Sequence, residues 1–248
     1  MERLLRHQWN CAKLKDNDAG NMKKEAADMT YEAERALMCA VGKLLYDRGY
    51  AAANDGNLSM LVEPGRLLVT PSGVSKGRMT PDMLLVTDLE GTVLEGDRHP
   101  SSELKMHLAV YRGRSDVRAV VHAHPPVSTA FAVCRRGLET PYVAELVVGL
   151  GTVPCTPEFA MLSTEAVPRS VEPYLPDHNA VLLANHGVLT WGSNLWEAFD
   201  RLETVEHTAK IVWNAERLGN PVALTEAETA RLRSMQDMYR RLREKKAP

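Results

Sequence analysis

The stretch AVLLANHGVLTWGSNLWEAFD (180–200) contains two apolar runs, a turn sequence and the start of an amphipathic helix. AVLLA and GVLTW are rich in the residues of buried strands, and NHG between them is typical of a tight turn. Asn194 stands three residues before Glu197, a spacing that resembles a helix-capping box. The sequence therefore predicts a strand hairpin over 180–191, followed by a long helix that ends at Gly219.

Further elements are predicted outward from this hairpin. Short β-prone runs separated by turn sequences lie at 58–62, 66–70, 83–87 and 92–96, with two more at 117–126 and 144–151. Helical periodicity predicts helices from Met29 to Gly49, over 101–114 behind a serine cap, and over 226–246. Strands interspersed with helices indicate an α/β or α+β protein.

The length of 248 residues fits one large domain. Residues 1–28 are polar and weakly patterned, so we interpret them as an N-terminal arm and residues 29–248 as the domain. Within this domain we find neither an internal repeat nor a low-complexity segment.

Charge and composition exclude several classes of protein. Thirty Lys and Arg against thirty-two Asp and Glu give a net charge of −2, which argues against a dedicated nucleic-acid binder. No apolar run approaches the roughly 18 residues that span a membrane, and residues 1–15 lack a signal-peptide core. The four cysteines have no CxxC spacing and are expected to be reduced. We expect a cytoplasmic protein that binds neither nucleic acid nor membrane.

The histidines are the first candidates for chemistry. His122 and His124 are two residues apart on a predicted strand, so both side chains point to the same face. His186 lies in the NHG turn, and Glu103 follows two serines at a predicted helix start. Three imidazoles and a carboxylate are a plausible zinc set. An exposed pair of histidines without a metal is the alternative for the HxH pattern alone.

Three loops carry small polar residues beside Gly or Pro: DGNLS (55–59), TPSGVSKG (70–77) and PSSE (100–103). Ser101 and Ser102 stand at the predicted helix start, where free N–H groups favour an anion. Gly56 and Gly73 would let the backbone approach a phosphate closely. Each loop alone is more often an ordinary turn or cap, whereas three together favour a phosphate site.

Together these motifs resemble a known family. GNLS, TPSGV, PSSE, VVHAHP, the NHG turn and the long helix after it are similar to the class II sugar-phosphate aldolases, typified by L-fuculose-1-phosphate aldolase, within the aldolase II/adducin superfamily. The resemblance runs from about residue 30 to 218. It implies a single three-layer αβα domain with a mostly antiparallel central sheet. It also implies a homotetramer with active sites at subunit interfaces and one Zn²⁺ per subunit.

The resemblance also implies roles for individual residues. The zinc ligands would be His122, His124 and His186, with Glu103 as a displaceable fourth ligand that also moves protons. The phosphate of a phosphorylated sugar would be held by Asn57, Ser72, Gly73, Ser101 and Ser102. Two catalytic tyrosines of the family are matched by Tyr142 and Tyr239. The implied reaction is reversible retro-aldol cleavage of a ketose 1-phosphate to dihydroxyacetone phosphate and an aldehyde, through a metal-stabilised enediolate.

Three other functions are alternatives for this pattern. A pentulose-5-phosphate 4-epimerase would use the same metal site, but such enzymes typically have Asp at the position of Glu103 and a HADYF-like segment where this chain reads YVAELVVG. An adducin-like scaffold would lack the metal histidines. A Schiff-base aldolase needs a desolvated lysine, and we interpret Lys76 and Lys105 as solvated surface groups. His107, one turn after Glu103, either supports that carboxylate or is a structural histidine.

Overall fold

Seven strands form one sheet, and every pair of neighbouring strands in it is antiparallel. The chain is described by a computed structural model that covers residues 30–244, the side chains of 237 and 239–244 excepted. The strands are β1 (Asn57–Glu63), β2 (Arg66–Val69), β3 (Leu85–Thr87), β4 (Val93–Glu95), β5 (Ala119–Ala123), β6 (Ala180–Leu183) and β7 (Gly187–Gly192). Their order across the sheet is β4-β3-β2-β1-β5-β7-β6.

Helices connect and cover these strands. The α-helices are α1 (Glu32–Asp47), α2 (Leu104–Gly113), α3 (Pro126–Val133), α4 (Ala144–Gly149), α5 (Ala166–Val171), α6 (Leu195–Leu218) and α7 (Glu226–Glu244). Short 3-10 turns lie at Lys76–Arg78, Pro81–Met83 and Glu172–Tyr174.

The sheet is covered on both faces. On one face, Val120 of β5 and Leu189 and Trp191 of β7 pack against α2 and α5 in a fully buried cluster. On the other face, the Thr190 side chain donates a hydrogen bond to the carbonyl of Ala198 in α6 at 2.7 Å. Alternate strand residues therefore pack against helices on opposite sides, and the predicted α/β class with its αβα layers and antiparallel sheet is confirmed.

The hairpin over 180–191 and the helix after it are confirmed. β6 pairs with β7 directly across the turn. Asn194 caps α6, because its side-chain oxygen accepts a hydrogen bond from the N–H of Glu197 at 2.9 Å. The Glu197 carboxylate accepts from the N–H and hydroxyl of Ser193, one residue before the position that a capping box predicts.

Two local predictions were wrong. Residues 144–151 were expected to form a strand, but Ala144–Gly149 is the helix α4, and Leu150 N–H bonds back to Leu146 O at 2.8 Å. A short apolar run does not by itself distinguish a strand from a helix. The helix expected over 101–114 begins only at Leu104 and has no side-chain cap, since Glu103 occupies the cap position.

The proposed boundary between an arm (residues 1–28) and a domain (residues 29–248) stays a prediction, since the arm lies outside the described residues. Within residues 30–244, no helix has both the length and the apolar character that crossing a membrane requires.

Candidate metal and phosphate site

Strand β5 and the residue that follows it supply two of the predicted metal ligands. His122 is fully buried, and its Nδ1 lies 2.9 Å from the carbonyl oxygen of Val188 in the neighbouring β7. Because a carbonyl only accepts, Nδ1 carries the hydrogen, and Nε2 presents its lone pair. His124 follows the strand, and its N–H donates to Tyr50 O at 2.8 Å. The two Nε2 atoms are 3.0 Å apart.

The turn between β6 and β7 brings in the third imidazole. Asn185 has a φ of 52°, the left-handed conformation that Asn tolerates, and His186 N–H closes the turn onto Leu183 O at 2.9 Å. The His186 ring centroid lies 4.6 Å from that of His122 and 5.1 Å from that of His124. The ligand atoms of the three histidines all lie within 4.8 Å of one another.

The carboxylate of Glu103 meets this cluster from the start of α2. Its Oε1 lies 3.0 Å from His186 Nε2, and its Oε2 lies 3.4 Å from His122 Nε2. Asn57 of β1 donates a hydrogen bond from Nδ2 to Oε2 at 2.8 Å. Asn57 stands opposite His122 in the pairing of β1 with β5. Residues 103, 122, 124 and 186, distant in the chain, therefore converge at one end of β5.

Burial and charge keep these groups in the states that bind a metal. Burial lowers the pKa of His122 well below its ordinary value and also lowers the pKa of His124, so both rings are neutral near pH 7. Burial alone would raise the pKa of Glu103, but His122, His186 and the Asn57 hydrogen bond outweigh it and lower the pKa. Neutral imidazoles facing a carboxylate are the donor set of a divalent-cation site.

The residues present fit a metal ion. The Nε2 atoms of His122 and His124 lie 3.0 Å apart, close enough for one cation to bind a lone pair of each. Gly187 leaves the rings room, because a Cβ there would lie 2.5 Å from His124 Cδ2 and 2.6 Å from Ala123 O. A donor set of three imidazoles and a carboxylate fits zinc well.

Asp55 is a site residue that the sequence reasoning missed. Its Oδ2 lies 3.5 Å from Nδ1 of His124 and thereby turns Nε2 of that ring toward the cluster. Metal-bound histidines commonly use such a carboxylate to fix their orientation. The pattern of the DGNLS loop predicts only a phosphate site, and a single Asp in a turn gives no signal of a distant histidine partner.

The predicted phosphate residues lie in loops that run side by side. Ser72 N–H donates to His99 O at 2.8 Å, and Ser101 N–H donates to Thr70 O at 3.3 Å. Ser72, Gly73 and Ser102 are exposed, whereas Ser101 is half-buried and accepts a hydrogen bond from the N–H of Glu103. Gly73 has a φ of 71°, which favours glycine. The loops of TPSG and PSSE therefore form one polar surface that leads to Glu103.

Of the two predicted tyrosines, only Tyr142 has a described side chain. Tyr142 is half-buried before α4, and no hydrogen bond among the described residues joins its side chain to Glu103 or to the histidines. Tyr239 lies on α7, but its side chain is outside the described part of the chain. Their catalytic roles stay predictions.

The structure also tests the interpretations of His107, Lys105 and Lys76. His107 is buried and does not hydrogen-bond Glu103; its Nδ1 lies 2.7 Å from the hydroxyl of Ser59, which contacts Tyr111 at 2.8 Å. Lys105 is exposed and paired with Glu165, as expected. The interpretation of Lys76 as a solvated surface group was wrong, because only 2% of this residue is exposed.

Fold and site together define an α/β protein with a three-histidine, one-carboxylate candidate metal centre beside a polar loop surface. Residues 36–213 match the family described as Class II Aldolase and Adducin N-terminal domain. The chain belongs to this family, as the sequence motifs predicted.

Its relatives differ in the reaction they catalyse. The 5-deoxy-D-ribulose 1-phosphate aldolase of Bacillus thuringiensis serovar kurstaki is 35% identical over 82% of this chain and 95% of its own length. The 3-oxo-tetronate 4-phosphate decarboxylase of Escherichia coli K12 is 37% identical over 81% of this chain and 95% of its own length. A methylthioribulose-1-phosphate dehydratase of Methylococcus capsulatus is 31% identical over 73% of this chain and 93% of its own length. These relatives are enzymes named for phosphorylated substrates.

A solved structure supports the same assignment. An L-fuculose 1-phosphate aldolase superposes with a TM-score of 0.77 at 32% identity, over 83% of this chain and 97% of that chain. Since the relatives include an aldolase, a decarboxylase and a dehydratase, the comparisons identify the enzyme superfamily rather than one reaction.

Proposed function

We propose that this protein is a zinc-dependent class II aldolase that cleaves a ketose 1-phosphate to dihydroxyacetone phosphate and an aldehyde, reversibly. The observation that carries the proposal is the convergence of Glu103 with His122, His124 and His186, next to the loops of Ser72 and Ser101. A metal site beside an anion-binding surface suits a substrate that carries both a hydroxy-ketone and a phosphate.

The three imidazoles and Glu103 would hold one Zn²⁺ per subunit. When bound, the ion supplies a Lewis acid that polarises the substrate carbonyl. Val188 O and Asp55 fix the outward nitrogens of His122 and His124, so that the opposite nitrogens stay directed at the site.

Glu103 is the proposed proton carrier. In the cleavage direction a base removes the proton of the C4 hydroxyl, the C3–C4 bond breaks, and its electron pair moves toward the C2 carbonyl. A proton must then be delivered to C3 of the leaving ketone fragment. The lowered pKa keeps Glu103 ionised, and the hydrogen bond from Asn57 holds one of its oxygens in place.

The phosphate would be bound by the backbone and hydroxyl groups of the paired loops. Ser72, Gly73 and Ser102 are exposed there, and Ser101 lies directly before Glu103. Asn57 is also expected to bind phosphate, but its side-chain amide donates a hydrogen bond to Glu103. We therefore propose that other groups of the Asn57 loop contact the phosphate.

The relatives define the alternatives that a test must separate. Decarboxylation of a 3-oxo acid also breaks a carbon–carbon bond and moves its electron pair toward a polarised carbonyl, so the same site supports it, and the decarboxylase relative favours its inclusion. A pentulose-5-phosphate 4-epimerase would use the same metal site. An adducin-like binding scaffold is the non-enzymatic alternative, and retention of all three histidines argues against it.

The test is a substrate panel with and without a chelator. Zinc-loaded protein is assayed for release of dihydroxyacetone phosphate from ketose 1-phosphates, for CO₂ from 3-oxo-tetronate 4-phosphate, for water loss from methylthioribulose 1-phosphate, and for interconversion of pentulose 5-phosphates. The proposal expects chelator-sensitive release of dihydroxyacetone phosphate. Turnover of only one of the other substrates would replace the aldolase proposal with the reaction of that substrate. No turnover of any substrate in the panel would favour a non-catalytic scaffold.

The resemblance further supports three proposals about the whole protein. We propose that it is a homotetramer with active sites at subunit interfaces, where Tyr142 or Tyr239 would reach a neighbouring site. We propose that it acts in the cytoplasm on a phosphorylated sugar, without nucleic-acid or membrane partners. Residues 1–28 are proposed to be an arm outside the catalytic domain of residues 29–248.

A further inference from the structure

Lys76 is a buried lysine that the proposed mechanism does not use. It begins the 3-10 turn Lys76–Arg78, only 2% of it is exposed, and it is among the largest fully buried side chains of the described chain. Its Nζ donates hydrogen bonds to Val74 O at 2.5 Å and to Asn54 O at 3.1 Å. Burying an ammonium group is costly, so a lysine in such a place calls for an explanation.

The two carbonyls belong to the two loops that meet at the site. Asn54 directly precedes Asp55, which orients His124, and is three residues before Asn57, which holds Glu103. Val74 directly follows Gly73 of the TPSG loop. One buried ammonium group therefore links the segment that supports the metal ligands to the loop proposed to bind phosphate.

The charge of Lys76 acts on the same place. Burial lowers its pKa to about 8, while the charges of Asp55 and Glu103 oppose this change. The group is therefore a cation near neutral pH and interacts with two carboxylates of the site without a close ion pair to either. A positive charge buried behind a loop whose residues Ser72 and Gly73 are exposed favours an anion in front of that loop.

We propose that Lys76 is a positioning residue for substrate: it fastens the Asn54–Asn57 segment to the Ser72–Val74 loop and supplies the positive charge that favours a phosphate group there. This inference rests on the proposed phosphate-binding function of the site. In this role Lys76 stays a buried ammonium group that donates to two backbone carbonyls, and it forms no Schiff base.

The test compares Lys76→Met, Lys76→Gln and, as the matched control, Lys105→Met in zinc-loaded protein. Inorganic phosphate is the probe, with affinity measured by calorimetry and zinc content measured on the same samples. Methionine removes charge and donors, whereas glutamine keeps a donor without the charge. We expect phosphate affinity to fall about 10-fold or more in both Lys76 variants and to stay unchanged in Lys105→Met.

Zinc content separates positioning from general support of the fold. The proposal expects at least Lys76→Gln to retain zinc while losing phosphate affinity, and expects KM for the phosphorylated substrate to rise more than kcat falls. Loss of zinc and phosphate together in both variants, or wild-type phosphate affinity in both, would overturn it.

Failure of the proposed function gives a different result. If wild-type protein binds no phosphate, both the phosphate site and the role of Lys76 are wrong. If wild-type protein binds phosphate but cleaves none of the substrates in the panel, the reaction is wrong, and the comparison of the Lys76 variants still decides this inference.

Discussion

At the scale of single residues, the site depends on which nitrogen of each imidazole is turned inward. His122 gives its Nδ1 hydrogen to Val188 O, and His124 directs Nδ1 to Asp55. These outer partners leave the two Nε2 atoms as lone-pair donors facing each other. An outer hydrogen bond thus decides whether a histidine can be a ligand, and sequence spacing alone does not reveal it.

Replacing His122 tests the metal centre most directly. His122→Ala removes the central, fully buried ligand, so we expect loss of zinc retention and loss of turnover by at least about 10²-fold. Zinc content after dialysis and steady-state activity measure the two effects. His178→Gln is the control, since the His178 ring contacts the carbonyl of Thr152 and the ring of Tyr174 rather than the cluster. Full turnover by metal-free His122→Ala would refute a metal-dependent mechanism.

Buried His107 predicts how stability depends on pH. Burial lowers its pKa to about 4, compared with about 6.5 in the unfolded chain. Between these values the unfolded state binds the proton and the folded state does not, so the free energy of unfolding falls as pH is lowered from 6.5 to 4. His107→Gln should reduce this slope by at most about one proton, or about 1.4 kcal/mol per pH unit.

Urea titrations at several pH values in the presence of a chelator measure this slope. The other buried histidines then contribute equally to wild type and variant. An identical slope in both proteins would show that His107 is protonated in the fold, contrary to its position beside Ser59 and Tyr111.

At the scale of elements, the turns rather than the strands decide where the ligands meet. The strands β5, β6 and β7 were predictable, because their apolar runs are bounded by clear turn sequences. The run AELVVG was not, because Leu146 and Val147 are buried on a short helix that no periodicity distinguishes from a strand. The late start of α2 at Leu104 leaves Glu103 at the helix end, facing the histidines.

Another element escaped sequence reasoning for a related reason. Glu206 of α6 is fully buried and accepts hydrogen bonds from the N–H groups of Val127 and Ser128 at the start of α3. It therefore anchors the chain just after His124, through Val127, which lies 79 residues away in the sequence. On its helix Glu206 is simply another charged residue, and only the packing of α6 against α3 gives it this role.

Gly187 at the start of β7 tests how closely the elements pack around the site. Gly187→Ala would place a Cβ 2.5 Å from His124 and 2.6 Å from Ala123 O, so we expect a loss of about 1–3 kcal/mol in the free energy of unfolding. Displacement of the rings should also lower zinc affinity about 10-fold or more. Denaturant unfolding and zinc titration measure these effects.

Gly149→Ala is the matched control, because a Cβ at Gly149 of α4 meets nothing within 4 Å. Its free energy of unfolding should stay within about 0.5 kcal/mol of wild type. Equal effects of the two substitutions would mean that the close approach at Gly187 does not shape the site.

At the scale of the whole molecule, family membership followed from the order of the motifs, and the structure brings together the three histidines that these motifs contain. The roles of Asp55, Lys76 and Glu206 did not follow from that order, because each depends on a contact with a residue at least 20 positions away. The assembly is a separate matter. All four metal-site residues come from one chain, whereas the proposed tyrosines would come from a neighbour.

This division predicts that zinc binding and assembly are independent. Zinc that binds only the folded chain raises the free energy of unfolding by about 2.7 kcal/mol at 100 times its Kd. We expect this gain in wild type and its absence in His122→Ala, measured by thermal unfolding with and without added zinc.

Because one chain supplies every ligand, zinc affinity should not change when the protein is diluted until subunits separate, whereas turnover per subunit should fall. Zinc affinity that falls together with turnover on dilution would mean that a second chain contributes a ligand, and the one-chain metal centre would then be wrong.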